Sequence, residues 1–415
     1  SLSYFNTSGT AISVGEKPIL GLLNPKAQGG MSVGEMITNM MGVFINDISC
    51  IKCSGNWMWN IKGEGEYDAV YETAKEMCSV MKELGISLDG GKDSLSMSVK
   101  DNYKTISSPG TLVISGYAPC PDIHCKTTPN LKNNNTCLLF IHFNKYRMGG
   151  SVLYKQFENL GSEPPMLDNP KKLKRLFKAI QIFIKEGKIL SLHDRSDGGL
   201  ITTLIEMSLS SNIGMNVYLP TMDYSDSINY LFNEELGIVI EIYEPFLKEI
   251  QKVIKKINIE CTFIGITRND TKFMINDKEN DLLFDCNLKE LSNYWEFTSF
   301  ELDKSQIPIQ MAFQEYSYYL HSRDINNYFL PEKIDNFCKC EFYVSNINYN
   351  INIHKIAIIR EEGSNGDKEM EAAFYYVGFE VYNFTTNEIN ENPLAYLPGK
   401  SVRLQIKAIG DLENY

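Results

Sequence analysis

Apolar residues recur along this chain in two rhythms: short unbroken runs, and stripes spaced three and four apart. Interleaved in this way they predict a mixed α/β protein. Residues 17–23 (KPILGLL) predict a strand. Val33, Met36, Ile37, Met40 and Phe44 then keep helical spacing, which predicts an amphipathic helix from about Val33 to Ile45. A second helix is expected over 66–84, with Val70, Ala74, Met77, Cys78, Met81 and Leu84 as its inner stripe and Gly85 at the left-handed position that ends it. Ile86 to Leu88 predicts a short strand running into a polar loop, and Thr111 to Ser115 another strand. The polar stretch KTTPNLKNNNT (126–136) breaks the pattern as a linker. Beyond it, Cys137 to Phe143 predicts a strand. Pro170 after Asn169 opens a helix with Leu173, Leu176, Phe177, Ile180 and Ile184 inside, closed by Gly187. Lys188 to Leu192 predicts a buried strand, followed by a helix on Ile201, Leu204, Ile205 and Leu209. A strand at 237–243, a helix at 246–257 and closing strands at 261–266 and 272–275 complete this part. Residues 288–352 have weak periodicity and many aromatics, and are expected to be an extended connector packed on other domains. A strand at 355–359, a helix through Ala372, Ala373 and Val377, and a strand at 379–381 then begin a βαβ unit.

The expected organisation is an N-terminal α/β domain over 1–125, a second α/β domain over 136–287, the connector at 288–352, the βαβ start at 353–389, and a tail at 390–415 that matches no expected element. With 415 residues, 43% of them hydrophobic, the chain can bury a large core and hold roughly two to four domains. The net charge is −12 and no basic cluster interleaves with aromatics, so nucleic acid is not an expected partner. No apolar run is long enough to cross a bilayer, and SLSYFNTSGT has neither the basic nor the apolar part of a signal peptide. The first residue is not Met, which reads as a piece of a longer chain. The ten cysteines form no framework. Cys50 and Cys53 would need a second pair to bind zinc, and Cys120, His124 and Cys125 do not supply the spacing; reduced thiols in a cytoplasmic protein account for them.

Three strings carry candidate chemistry. HDRSDGGL (193–200) joins a strand end to a helix start, where unpaired N–H groups and the helix dipole favour a phosphate. Asp194 and Asp197 would repel a phosphate unless a cation lay between, so one reading is a Mg²⁺–nucleotide loop. In the other, Asp194 or Ser196 caps the helix and the glycines turn the chain. Glu35 and Asn39 lie four apart on one helix face, a half-shell for a hard cation, although Ser32 to Glu35 also fits a capping box. In DGGKDSLSM (89–97), Lys92 offers a phosphate a point charge and Asp93 a metal ligand or a partner for Lys92; the alternative is a polar hairpin. Glu234 and Glu235, in FNEELG, are expected to be solvated. His193–Asp194 ends a strand, which argues against an HD phosphohydrolase. There is no G-x-S-x-G elbow and no cysteine in a nucleophile context.

AISVGE (11–16), MSVGEMITN (31–39), IKCSGNWM (51–58), YDAV (67–70), GGKDSLSM (90–97), HDRSDGGL (193–200), FNEELG (232–237) and REEGSNGDKEM (360–370) stand in one order. So arranged, they resemble the large phosphoribosylformylglycinamidine synthases, glutamine-dependent ligases of purine biosynthesis. The resemblance covers residues 9 to about 389. It implies an α/β fold with mixed sheets, built as aminoimidazole-ribonucleotide-synthetase-like N- and C-terminal domains. This chain would be the second of two such copies, followed by the start of a class I glutaminase. It also implies that Glu35, Asn39 and Asp194 bind Mg²⁺ and that Ser196 contacts ATP or ADP, with Lys92 and Asp93 as further candidates. A further family metal ligand precedes residue 1, and a Gly-rich nucleotide loop belongs to the first copy, which leaves the expected site open on one side. The implied reaction uses formylglycinamide ribonucleotide, ATP and glutamine-derived ammonia, and needs the first copy and the rest of the glutaminase as partners. The rival expectation is a structural half that binds a nucleotide without turning it over.

Overall fold

The computed structural model describes residues 6–101, 104–220, 224–277, 279, 281–322, 355–360, 364 and 366–391. The chain divides at about residue 326 into two units.

The first unit opens with strand β1 (Gly9–Glu16), helix α1 (Pro18–Leu23) and helix α2 (Pro25–Met40). Two expectations fail here. KPILGLL is helical because Pro18 sits at the first helical position, where its fixed φ suits a helix and its missing N–H costs nothing. The strand lies just upstream and alternates buried Ala11, Ser13 and Gly15 with outward Ile12 and Val14. Helix α2 starts well before Val33, with Asn24 as N-cap and Pro25 after it. Ser32 is therefore mid-helix, and its hydroxyl donates to the Leu112 carbonyl instead of capping anything.

Strand β2 (Lys52–Met58), helix α3 (Glu66–Leu84), β3 (Ser87–Ser94), β4 (Ser98–Lys100), β5 (Thr105–Ser107) and β6 (Thr111–Cys120) complete the first domain. The sheet order is β1-β6-β2-β3, antiparallel except for the parallel β2–β3 pair. Helix α3 ends at Gly85, at φ +77°, as its sequence predicts, but Cys78 faces solvent. The string DGGKDS is not a loop: it continues β3 as an exposed edge strand, bonded along β2.

Strand β7 (Cys137–His142), helices α4 (Val152–Gln156) and α5 (Pro170–Lys185), β8 (Ser191–Asp194), α6 (Gly199–Ser211), β9 (Met215–Tyr218), α7 (Tyr224–Phe232), β10 (Gly237–Ile242), α8 (Leu247–Lys256), β11 (Glu260–Thr267), β12 (Lys272–Asn276) and β13 (Leu282–Asn287) form the second domain. Its sheet runs β13-β12-β9-β11-β7-β10-β8. Strands β7 and β10 are buried at every residue, since one hydrophobic cluster covers each face of this sheet. The first cluster also takes in Met36 and Ile37 of α2, so the two domains share a core. The stretch 126–136 is pinned to that body. Buried Glu241 accepts the N–H groups of Lys132 and Asn133 and the Thr136 hydroxyl.

The first part of the expected connector is a helical hairpin, α9 (Leu288–Gln306) and α10 (Ile309–Ser322). Asn287 caps α9, and Phe300 stacks on Tyr316 at 4.4 Å. Its periodicity is blurred because Trp295, Phe297 and Tyr318 face outward. The rest of the connector, 323–352, and the tail beyond 391 lie outside the described residues. In the second unit, β14 (Lys355–Arg360), α11 (Asp367–Tyr376) and β15 (Glu380–Thr385) make a parallel βαβ, followed by α12 (Thr386–Glu391).

Candidate functional site

The end of β1, the middle of α2 and the β8–α6 turn meet around one cavity of about 400 Å³. That is within the size range of small-ligand pockets. Gly15 makes the meeting possible: a Cβ there would stand 2.1 Å from the Ser32 carbonyl, so only glycine lets β1 lie this close to α2. The contact brings the Glu16 N–H to Glu35 Oε2 at 2.8 Å. Gly199 has the same function on the other wall. It sits at φ +76°, and a Cβ would stand 2.6 Å from the Leu231 carbonyl.

Glu35, Asn39, Asp194 and Ser196 all line this cavity. Glu35 is almost fully buried, and both its oxygens accept hydrogen bonds, with one lone pair of Oε2 left over. Its Oε1 accepts the Ser196 hydroxyl and pairs with Lys17 Nζ at 2.7 Å. Lys17 also reaches Asp197 at 2.6 Å and Ser196 Oγ at 3.0 Å. Burial alone would lower the Lys17 ammonium, but Glu35 and Asp197 outweigh it and hold it above the ordinary lysine range. Burial, then Glu35, raises the Glu16 carboxyl. His193 bridges Asp194 at 3.3 Å and Glu206 at 2.7 Å. Burial opposes its charge, yet hydrogen bonds to these two carboxylates raise it to about 9.

Lys92 and Asp93 are not among the lining residues. Both are exposed on β3, and Lys92 Nζ bonds Ser94 Oγ at 2.7 Å. The chain there pairs with β2 instead of turning, so these side chains stay on a sheet edge. Glu234 and Glu235 also differ from expectation, being 5% and 2% exposed. Glu234 Oε1 accepts the Val152 N–H at 2.7 Å and the Gly198 N–H at 2.9 Å. A carboxylate of the protein itself thus sits at the start of α6. Glu235 pairs with Arg147 at 2.5 Å, and the Nε of buried Arg195 donates to the Glu235 carbonyl. Burial raises both carboxyls. The missed signal is local: Glu234 and Glu235 stand between Leu231–Phe232 and Leu236, and acids enclosed by apolar residues just before a buried strand are not solvated. Nothing in the sequence marks Lys17 or Glu206.

The donor set suits a hard cation. Glu35, Asp194 and Asn39 offer oxygen, and Asn39 already uses its Nδ2 on the Val14 carbonyl at 3.3 Å, which leaves its oxygen available. Among the described residues no group of three or more His, Cys, Asp or Glu side chains is placed to hold a metal ion. Magnesium fits this arrangement, since it commonly takes one or two carboxylates and completes its shell with phosphate and water.

The FGAR-AT PurM_N-like domain matches residues 1–119, and the C-terminal domain of AIR synthase related proteins matches 139–278. The phosphoribosylformylglycinamidine synthase of Dictyostelium discoideum is 39% identical over 420 residues, covering 94% of this chain. By sequence, the chain is a homologue of the phosphoribosylformylglycinamidine synthases. The Homo sapiens enzyme of that name is 38% identical over 396 residues, and the chain spans about 30% of these relatives, 30% of the first and 29% of the second. Thermotoga maritima PurL complexed with FGAR shares the fold, with TM-score 0.55 at 12% identity over 68% of this chain and 46% of that one.

Proposed function

We propose that this chain is the second synthetase-like half of a phosphoribosylformylglycinamidine synthase and that it binds a magnesium nucleotide in the cavity between α2 and the β8–α6 turn. The observation that carries this reading is the convergence of Glu35, Asn39, Asp194 and Ser196 on one cavity, in a chain homologous to these synthases over 94% of its length. We assign the domains as the sequence predicts, with β14–α11–β15 as the start of the glutaminase. The whole enzyme would convert formylglycinamide ribonucleotide, ATP and glutamine to formylglycinamidine ribonucleotide, ADP, phosphate and glutamate. Phosphorylating the amide oxygen turns it into a leaving group that ammonia can displace. Mg²⁺ would offset charge on the phosphates. Glu35, Asp194 and the Asn39 oxygen would hold it, and the Ser196 hydroxyl would donate to phosphate.

PurL structures of Thermotoga maritima have been solved with ATP, ADP and AMPPCP, which supports a nucleotide for this half. Ile12, Val14 and Tyr117 lie together on the outward face of the first sheet, and Ile12 is directly opposite Tyr117. An exposed apolar sheet face supports a covering body, which we assign to the first synthetase-like copy. On that reading the half binds nucleotide but makes no product alone. We place it in the cytoplasm, where thiols such as buried Cys53 and exposed Cys78 stay reduced. Among the described residues no helix is long and apolar enough to cross a membrane. Calorimetric titration of Mg·ADP into the chain and into Glu35→Ala tests the reading. Binding abolished by the substitution supports it, and a folded chain that binds no Mg·ADP defeats it. Ammonia-dependent ADP release by the chain alone, with substrate present, would overturn the claim that this half does not turn over.

A further inference from the structure

Lys17 is the one buried ammonium in direct contact with the site's carboxylates among the described residues, and nothing in its sequence context marks it. Its side chain is 6% exposed and its Nζ meets three oxygens from two different elements: Glu35 Oε1 at 2.7 Å, Asp197 Oδ1 at 2.6 Å and Ser196 Oγ at 3.0 Å. An ammonium has three protons to donate, and here all three have acceptors. Glu35 is engaged at both oxygens. Oε1 takes both Lys17 and the Ser196 hydroxyl, and Oε2 takes the Glu16 N–H. A divalent ion that binds through Oε1 must displace one of these donors.

We propose that Lys17 is a resident cation that holds Glu35 until a metal–nucleotide complex arrives, and then turns its ammonium to the phosphates. The proposal rests on the nucleotide reading above and names the residue that makes metal entry depend on nucleotide. Ser196 and Lys17 already touch, so a phosphate reached by the Ser196 hydroxyl lies within reach of the ammonium. Lys17 has room to move. Lys17 lines a neighbouring cavity of about 230 Å³, with Lys155 and Glu234, that shares Glu16 and Asp197 with the first. Asp197, its other partner, is 61% exposed and can follow it. The lysine stem is flexible enough for the swing. A metal that binds alone through Oε1 displaces the ammonium without compensation, whereas a metal with nucleotide supplies the displaced ammonium with a new anion. Metal and nucleotide should therefore bind cooperatively, each strengthening the other by the same factor. Phosphate bound directly to the metal couples the two as well, so what distinguishes Lys17 from a fixed structural ion pair is that its removal strengthens metal alone and shrinks the coupling.

Mn²⁺ is the probe, with its free concentration read by electron paramagnetic resonance, in the wild-type chain, Lys17→Gln and Lys17→Arg. Circular dichroism and thermal melting establish that each is folded. Wild type should bind Mn²⁺ weakly alone and at least tenfold more tightly with saturating ADP. Lys17→Gln should bind Mn²⁺ alone at least tenfold more tightly than wild type and lose most of the ADP dependence, while Lys17→Arg keeps the wild-type pattern. An Mn²⁺ affinity in folded Lys17→Gln within twofold of wild type overturns the proposal. If that variant does not fold, the wild-type protein still decides, since absence of ADP coupling in a chain that binds Mg·ADP overturns it too. A wild-type chain that binds no Mg·ADP at all defeats the functional reading instead.

Discussion

Two strings of this chain look alike in sequence: DGGKDS at residues 89–94 and HDRSDGG at 193–199. Each follows a strand and pairs two glycines with two acids and a basic residue. The first becomes an exposed edge strand, and the second becomes the wall of a cavity. The next element in the chain separates them. After Gly199 comes a helix whose apolar face must bury, so the chain turns inward, where Asp197 pairs with Lys17, Ser196 bonds Glu35 and Asp194 lines the cavity. After Gly91 the chain finds the open edge of β2 and keeps pairing, so its acids stay in water. Glycines and acids at a strand end do not make a phosphate site unless the next element draws the loop into the core.

The largest test of that contrast is steric. Gly199→Ala places a Cβ 2.6 Å from the Leu231 carbonyl at φ +76°, whereas at Gly90 the nearest atom to a Cβ is Ser54 Oγ at 3.9 Å. Gly199→Ala should cost about 3 kcal/mol or more in urea unfolding, and Gly90→Ala less than about 0.5 kcal/mol. Similar losses at the two positions would mean that the 193–199 turn is no more constrained than the sheet edge.

The same contrast explains what the sequence could and could not disclose. The strand–turn–helix around 193–200 was legible because periodicity changes from run to stripe at the turn, although the strand is Ser191–Asp194 and not 188–192. Helix α5 was legible for the same reason, with Asn169 and Pro170 marking its start. Helix α1 was not, since six residues with apolar runs cannot be told from a strand, and only Pro18 at the first position decides it. The hairpin α9–α10 was hidden because aromatics on its outward faces erase the stripe. In the site, Glu35 and Asn39 share a helix face and Asp194 and Ser196 share a turn, so local spacing reveals each pair. Lys17 lies 179 residues from Ser196, and a contact over that distance leaves no trace in spacing.

Next in size is binding. Glu35→Ala and Asp194→Asn should each weaken Mg·ADP by about 100-fold, roughly 2.7 kcal/mol, in calorimetry of the folded variants. A loss below threefold in both would remove the cavity from the function.

His193 gives a smaller effect with a definite sign. Its charged form is favoured in the folded protein, with the imidazolium titrating at about 9 against an unfolded value of 6.5. The stability it contributes is therefore complete below pH 6.5 and declines as pH rises toward 9. Across that interval the decline should be of order 2 kcal/mol, discounted because Glu206 is one-third exposed. Urea unfolding from pH 6.5 to 8.5, with chelator present, should show a slope in wild type that His193→Asn lacks. Equal slopes would mean that the imidazole is neutral between its two carboxylates.

The smallest effect belongs to the sheet edge. Lys92 Nζ bonds the Ser94 hydroxyl and the Asp93 carbonyl, both on its own strand, and Asp93 is exposed beside it. Lys92→Ala and Asp93→Ala should shift Mg·ADP affinity by less than about twofold, since exposed charges beyond direct contact are screened by salt. A tenfold loss from either would break the comparison at its root. It would mean that β3 leaves the edge of β2 when nucleotide binds, and that DGGKDS is a loop in the state that matters, as its glycines first imply.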